Sequence, residues 1–177
     1  MLFRSKYLSN WLNANKICLN FSKTEVVLFK PVRKQTEATL KLKLNGKRLY
    51  TTNSVKYFGI KIDENLNWHE QINNVAVKLN RANAMLSKVR HSVHKKTLKS
   101  IYHAIFESHL FYSCLVWAQN INSIKRLYIL QKKSLRSMYF LNRNAHTTPL
   151  FKDSNIIKFP DKIALENCIF KIGRAHV

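Results

Sequence analysis

The stretch VKYFGIKIDENLNWHEQI, Val55 to Ile72, sets Asp63 and Glu64 between an apolar run and a helical pattern. Carboxylates are hard oxygen donors, so this pair could hold Mg²⁺ or act as acid and base. A two-metal site of the kind polymerases use needs a second carboxylate cluster, and the chain has 9 acids and no Asp-Asp. The structural alternative is that Asp63 or Asn65 caps the next helix, with Glu64 and Glu70 at its positive end. Lys23, ahead of the run TEVVLFKP, could protonate a leaving group or hold a phosphate; spacing alone favours a solvated lysine at a strand start. The 7 histidines are dispersed, with no cysteine or acid completing a ligand set, so no metal site is expected. With 3 glycines in the chain no phosphate-cradling loop can be built, and no Ser-His-Asp or Cys-His order stands out.

Charge is the stronger signal. Lys and Arg total 31, giving a formal net charge of +22 over 177 residues. Between Gln71 and Lys152 the only acid is Glu107, against 14 basic residues. Solvation alone does not require acids to be missing from so long a stretch, whereas contact with phosphates does. The candidate nucleic-acid-binding faces are Lys78, Arg81 and Lys88 on one helix and Lys125, Arg126, Lys132, Lys133 and Arg136 on another. Cys18, Cys114 and Cys168 are scattered and read as reduced, buried thiols of an intracellular protein, nuclear or cytoplasmic. No run reaches the ~18 apolar residues of a membrane span, so no membrane partner is expected.

Periodicity sets the elements that carry these groups. Tyr7–Leu19 reads as the end of an amphipathic helix carrying Leu8, Trp11 and Leu12. Lys23–Pro31 reads as a strand stopped by Pro31. Ala38–Tyr50 reads as a hairpin, because Leu40, Leu42 and Leu44 alternate with lysines and Asn45-Gly46 is a favoured two-residue turn. Val55–Ile62 is a further strand. From Asn65 the period lengthens, and Ile72, Val75, Leu79, Ala82, Leu86 and Val89 form one helical stripe. A second helix begins near Lys95, with Leu98, Ile101, Tyr102, Ile105 and Phe106 inward. A third begins near Ile121, with Ile124, Leu127, Tyr128, Leu135 and Met138. Pro149 and Pro160 break the remaining segment, leaving a short helix from Asp161 to Phe170. The expected class is α+β: a small antiparallel sheet, then a mostly helical bundle.

The order of motifs resembles a family. Asn20, Lys23, Thr24 and Phe29, an Asn-Gly hairpin, VKYFGIKIDENLNW (Val55–Trp68), a basic helix, LFYSCLVW (Leu110–Trp117) and AHTTPLF (Ala145–Phe151) look like the C-terminal part of a non-LTR retrotransposon (LINE-type, jockey-like) reverse transcriptase. The resemblance implies residues 1–64 as the end of the palm, 65–142 as the thumb and 143–171 as a connector. The segment 172–177, IGRAHV, reads instead as a translated sequencing adapter. The resemblance implies that Lys23 assists pyrophosphate departure, and that Tyr57, Phe58, Gly59 and Ile60 form the primer grip, with Phe58 where the family more often has Leu. The partners it implies are an RNA/DNA template–primer duplex and an N-terminal polymerase region that carries the catalytic aspartates. Mg²⁺ is then expected for the full-length enzyme and no cofactor for this stretch, which should bind duplex and not polymerise alone. The alternative, from another class, is a stand-alone basic helical protein that binds nucleic acid or acts as a scaffold without enzymatic activity. Membrane-surface binding is weaker still, because the apolar stripes are committed to a core.

Overall fold

A computed structural model of the chain describes residues 2–31, 42–44 and 47–175. The fold is α+β and divides into two compact units, Met1–Glu70 and Gln71–Val177.

The first unit opens with α1 (Leu2–Ala14), which lies against β1 (Leu42–Leu44). The helix begins earlier than its pattern suggests and ends before Leu19. It is also less amphipathic than expected, since Leu12 is buried while Leu8 and Trp11 stand in solvent. β1 pairs antiparallel with β2 (Lys47–Leu49) in the register Leu44↔Lys47, the hairpin expected from Asn45-Gly46. The turn itself and residues 38–41 lie outside the described residues. β3 (Ser54–Tyr57) and β4 (Ile60–Asp63) form a second antiparallel pair, in the register Ser54↔Asp63 to Tyr57↔Ile60.

That pairing corrects the sequence reading. Val55–Ile62 is a tight hairpin rather than one strand, turning on Phe58 and Gly59. Both turn residues have positive φ, 46° and 80°, the combination whose twist matches paired strands. The run Lys23–Pro31 is likewise not a strand. Among the described residues only Val26 makes a bridge, an isolated one to Thr51, and its carbonyl accepts from the Thr52 N–H. Apolar β-branched residues promote a strand only where a neighbour supplies a ladder.

The second unit is helical: α2 (His69–Val89, entered from the first unit), α3 (Lys95–Tyr102), α4 (Ser108–Phe111), α5 (Cys114–Trp117), α6 (Ile121–Met138), α7 (Thr148–Asp153) and α8 (Phe159–Ala175). A π-helical turn, His103–Glu107, joins α3 to α4. The stripe on α2 is buried at Ile72, Val75, Leu79, Ala82 and Leu86, as its spacing predicts. Phe159, fully buried at the start of α8, stacks with Phe111 and Trp117 at centroid distances of 6.3 and 6.1 Å.

Pro149 and Pro160 open helices rather than break the chain. Pro149 stands at the start of α7 and Pro160 is the second residue of α8, positions where the missing N–H is not needed. α8 therefore runs well beyond Phe170, to Ala175. Of the thiols only Cys114 is buried; Cys18 and Cys168 are exposed.

Scarcity of glycine leaves a mark on the backbone. Helices commonly end on a left-handed glycine, whose N–H and that of the next residue reach back to free carbonyls. Here Lys16, Phe140 and Asn155 take that position, at φ 55°, 56° and 51°. The closing bonds are Ile17 N–H to Leu12, Leu141 N–H to Arg136 and Ile156 N–H to Phe151. Asn tolerates the geometry; an aromatic side chain there costs about 1–2 kcal/mol.

Candidate nucleic-acid interface

In the first unit the acids of the strand–helix junction are engaged one by one. The Asp63 carboxylate accepts from the backbone N–H of Asn67 and of Trp68, each at 3.0 Å. Partial burial alone would raise its pKa, but these backbone donors win and hold it below the ordinary carboxylate value. Asp63 thus shapes the approach to α2. Asn65 does not cap that helix; its Nδ2 donates to the Lys30 carbonyl at 3.0 Å. Glu64 pairs with Lys30 at 3.1 Å and Glu70 with Lys61 at 2.8 Å. Among the described residues no three His, Cys, Asp or Glu side chains stand together as a metal-ligand group. Asp63, Glu64 and Glu70 are instead engaged by backbone amides and lysines.

Lys23 closes a short 3₁₀ turn, Phe21–Lys23, in which the Asn20 side chain accepts from the Ser22 N–H. The Lys23 side chain is exposed. Of the four residues at the β3–β4 tip, Ile60 is buried, while Tyr57 and Phe58 are 60% and 74% exposed. The two rings meet edge to face, 4.5 Å between centroids. The tip is an exposed aromatic knuckle, with a backbone conformation that Phe58 adopts at a cost.

In the second unit α2 and α6 are tied by polar bonds at successive levels. Arg126 donates to the Asn73 side chain at 2.6 Å, Asn83 to the Leu130 carbonyl at 3.3 Å, and the Ser87 and Ser137 hydroxyls meet at 2.7 Å. Arg90 closes the series by donating to the Ser137 carbonyl at 2.9 Å. This bracing fixes where the basic side chains emerge, and it divides the expected set. Lys78 and Arg81 line a groove of about 380 Å³ together with Ala82, Met85, Ala104, Ile105 and His109. Lys133 and Arg136 line a larger one of about 590 Å³, with Ser87, Ile129, Ser137, Leu141, Arg143 and Asn144. Lys88, Lys125, Arg126 and Lys132 lie outside both. Arg126 is engaged by Asn73, and Lys132 lies over the Tyr128 ring at 4.3 Å.

Electrostatically this surface is uncompensated. Among the described residues none of Lys78, Arg81, Lys88, Lys125, Lys133 or Arg143 is ion-paired. Glu107, the one acid between Gln71 and Lys152, is turned to His103 within the π-helical turn. Unpaired cations of this kind attract anions such as phosphate.

Sequence reasoning misses how the larger groove ends. It counts Arg143 without placing it, and it passes over Phe140. Phe140 lies two residues past the end of α6, 54% exposed, with the Arg90 guanidinium 4.6 Å from its ring centroid and the His91 ring edge-on at 5.0 Å. The available signal is an aromatic residue at a helix end where Gly or Asn would normally stand. No known protein family, curated protein or solved structure matches this chain.

Proposed function

We propose that the chain is the C-terminal part of an RNA-directed DNA polymerase of the non-LTR retrotransposon kind. In this reading the helical unit holds the template–primer duplex, the β3–β4 tip serves as the primer grip, and catalysis belongs to a polymerase region upstream. The observation that carries it is the helical unit itself. Its long helices α2 and α6 present Lys78, Arg81, Lys88, Lys125 and Lys133 unpaired, while its middle contains a single acid already matched to a histidine. Such a surface repels itself and draws a polyanion. A-form duplex, read through shape and backbone, requires no base-reading side chains from it. The polymerase assignment rests in addition on the order of motifs from Asn20 to Phe151.

The test has two arms. Duplex affinity measured by fluorescence anisotropy should fall steeply with salt, with a log–log slope of about −4 to −6 if roughly five or six phosphates are contacted. A flat salt response refutes phosphate-driven binding. Genomic sequence upstream should continue the reading frame into an Asp-Asp turn, and the chain alone should show no primer extension with Mg²⁺. Extension by this chain refutes the placing of catalysis upstream; a promoter and start site directly upstream of Met1 refutes the polymerase assignment and leaves a stand-alone nucleic-acid-binding protein.

A further inference from the structure

The surroundings of Phe140 are built more firmly than a helix end requires. Its N–H bonds back to the Ser137 carbonyl at 3.3 Å, and Leu141, not Phe140, completes the closing turn on Arg136 at 2.9 Å. The left-handed conformation, φ 56°, is one that glycine or asparagine adopts at far lower cost. Burial does not offset that cost, since more than half of the residue is in solvent, 54%. Instead the Arg90 guanidinium lies over one face of the ring and His91 meets it edge to face. Arg90 donates Nη1 to the Ser137 carbonyl at 2.9 Å and Nε to His91 Nε2 at 3.1 Å, so the guanidinium over Phe140 is itself pinned. Ser137, which accepts from Arg90, and Leu141, the residue after Phe140, both line the groove that carries Lys133, Arg136 and Arg143. Arg136 is oriented by its Nε bond to the Ala145 carbonyl at 2.9 Å.

We infer that the Phe140 ring and the Lys133–Arg136–Arg143 groove form a binding site for unpaired nucleic acid, in which one base stacks on Phe140 and the adjoining phosphates lie against the three cations. This rests on the reading that the basic helical unit binds nucleic acid, and it narrows which form this part of the surface prefers. Within a duplex each base face is covered by its neighbours, so an exposed ring gains nothing there; an unstacked base offers its whole π-face to an aromatic side chain. The adjacent cations supply the backbone attraction, and the fixed guanidinium polarises the ring that the base meets. The site selects strand state rather than sequence, since every base has a face to stack.

The experiment compares the full chain with Phe140→Gly and Phe140→Tyr, by anisotropy, on three oligonucleotides of one length: single-stranded, duplex and abasic single-stranded. Glycine suits the left-handed position, so the fold survives the loss of the ring; thermal melting confirms it. Phe140→Gly should weaken single-strand binding about tenfold. Duplex and abasic binding should stay within about twofold, because only the phosphate contacts remain there. Phe140→Tyr should bind as wild type. If the chain binds duplex but Phe140→Gly leaves single-strand affinity unchanged, or weakens all three ligands equally, the stacking site is refuted while the basic-surface reading stands. If the chain binds none of them, both fall together.

Discussion

Gln131 should be the most sensitive polar position in the helical unit. It is fully buried in α6 and directs its amide to three partners. Nε2 donates to the Tyr102 hydroxyl at 3.1 Å and to the Ile157 carbonyl at 2.9 Å, while Oε1 accepts from the Phe159 N–H at 2.9 Å. The last bond gives the first residue of α8 the acceptor that its own helix cannot provide. Gln131→Leu keeps volume and helix propensity nearly constant and deletes all three bonds. An orphaned buried donor or acceptor costs about 1–3 kcal/mol. Phe159 N–H and the Tyr102 hydroxyl, both fully enclosed, bear that cost; the half-buried Ile157 contributes less. Against this, the leucine gains about 1 kcal/mol of transfer energy. The expected net loss is about 2–4 kcal/mol, read from urea denaturation followed by circular dichroism. Tyr102→Phe in the Gln131→Leu background removes one of the orphans, so the two substitutions should couple favourably by about 1 kcal/mol. A loss below about 1 kcal/mol, together with simple additivity, would refute the view that Gln131 joins α3, α6 and α8.

Two further outcomes concern groups whose ionisation is displaced. Burial pushes the Tyr102 phenol up, outweighing its hydrogen bond from Gln131. Its folded pKa thus exceeds the unfolded value near 10, and its contribution is whole below about pH 10 and is lost as pH rises toward the folded value. Unfolding measured through that alkaline range should show a decline that Tyr102→Phe flattens; an unchanged slope in that variant rules the cause out. Asp63 behaves in the opposite sense. Its folded pKa lies below the ordinary 3.8, so its contribution is present above that value and lost as pH falls through the folded one. Asp63→Ala should cost about 1–2 kcal/mol at neutral pH by freeing the Asn67 and Trp68 N–H groups. Hydrogen exchange at those two amides should quicken, and unchanged protection there would contradict the assignment.

The periodic part of the molecule is legible in its residues. The α2 stripe from Ile72 to Leu86 and the inward positions Leu98, Tyr102, Phe106, Leu127 and Leu135 stand as spacing alone predicts, because a helix satisfies its backbone within four residues and needs only one apolar face. Charge is equally plain, since an acid-poor stretch depends on no geometry. Strands fare worse. Val26 to Phe29 has strand composition and finds no ladder among the described residues, while Val55–Ile62 folds back on Phe58-Gly59, a turn that lacks the usual Asn or Asp before its glycine.

What only the tertiary structure decided is which residues act together. The lysines and arginines can be numbered from the chain, but the α2–α6 bracing through Ser87, Arg90 and Ser137 determines that Lys133, Arg136 and Arg143 share one groove and that Arg126 is tied to Asn73. Gln131 gives no sign in the chain that its partners stand 26 to 29 residues away. Phe140 acquires its meaning only from an arginine and a histidine at the end of another helix. Local order arises from backbone bonds made within a few residues and so repeats visibly along the chain. Partners that meet across helices leave no period, because packing, which depends on every side chain at once, selects them.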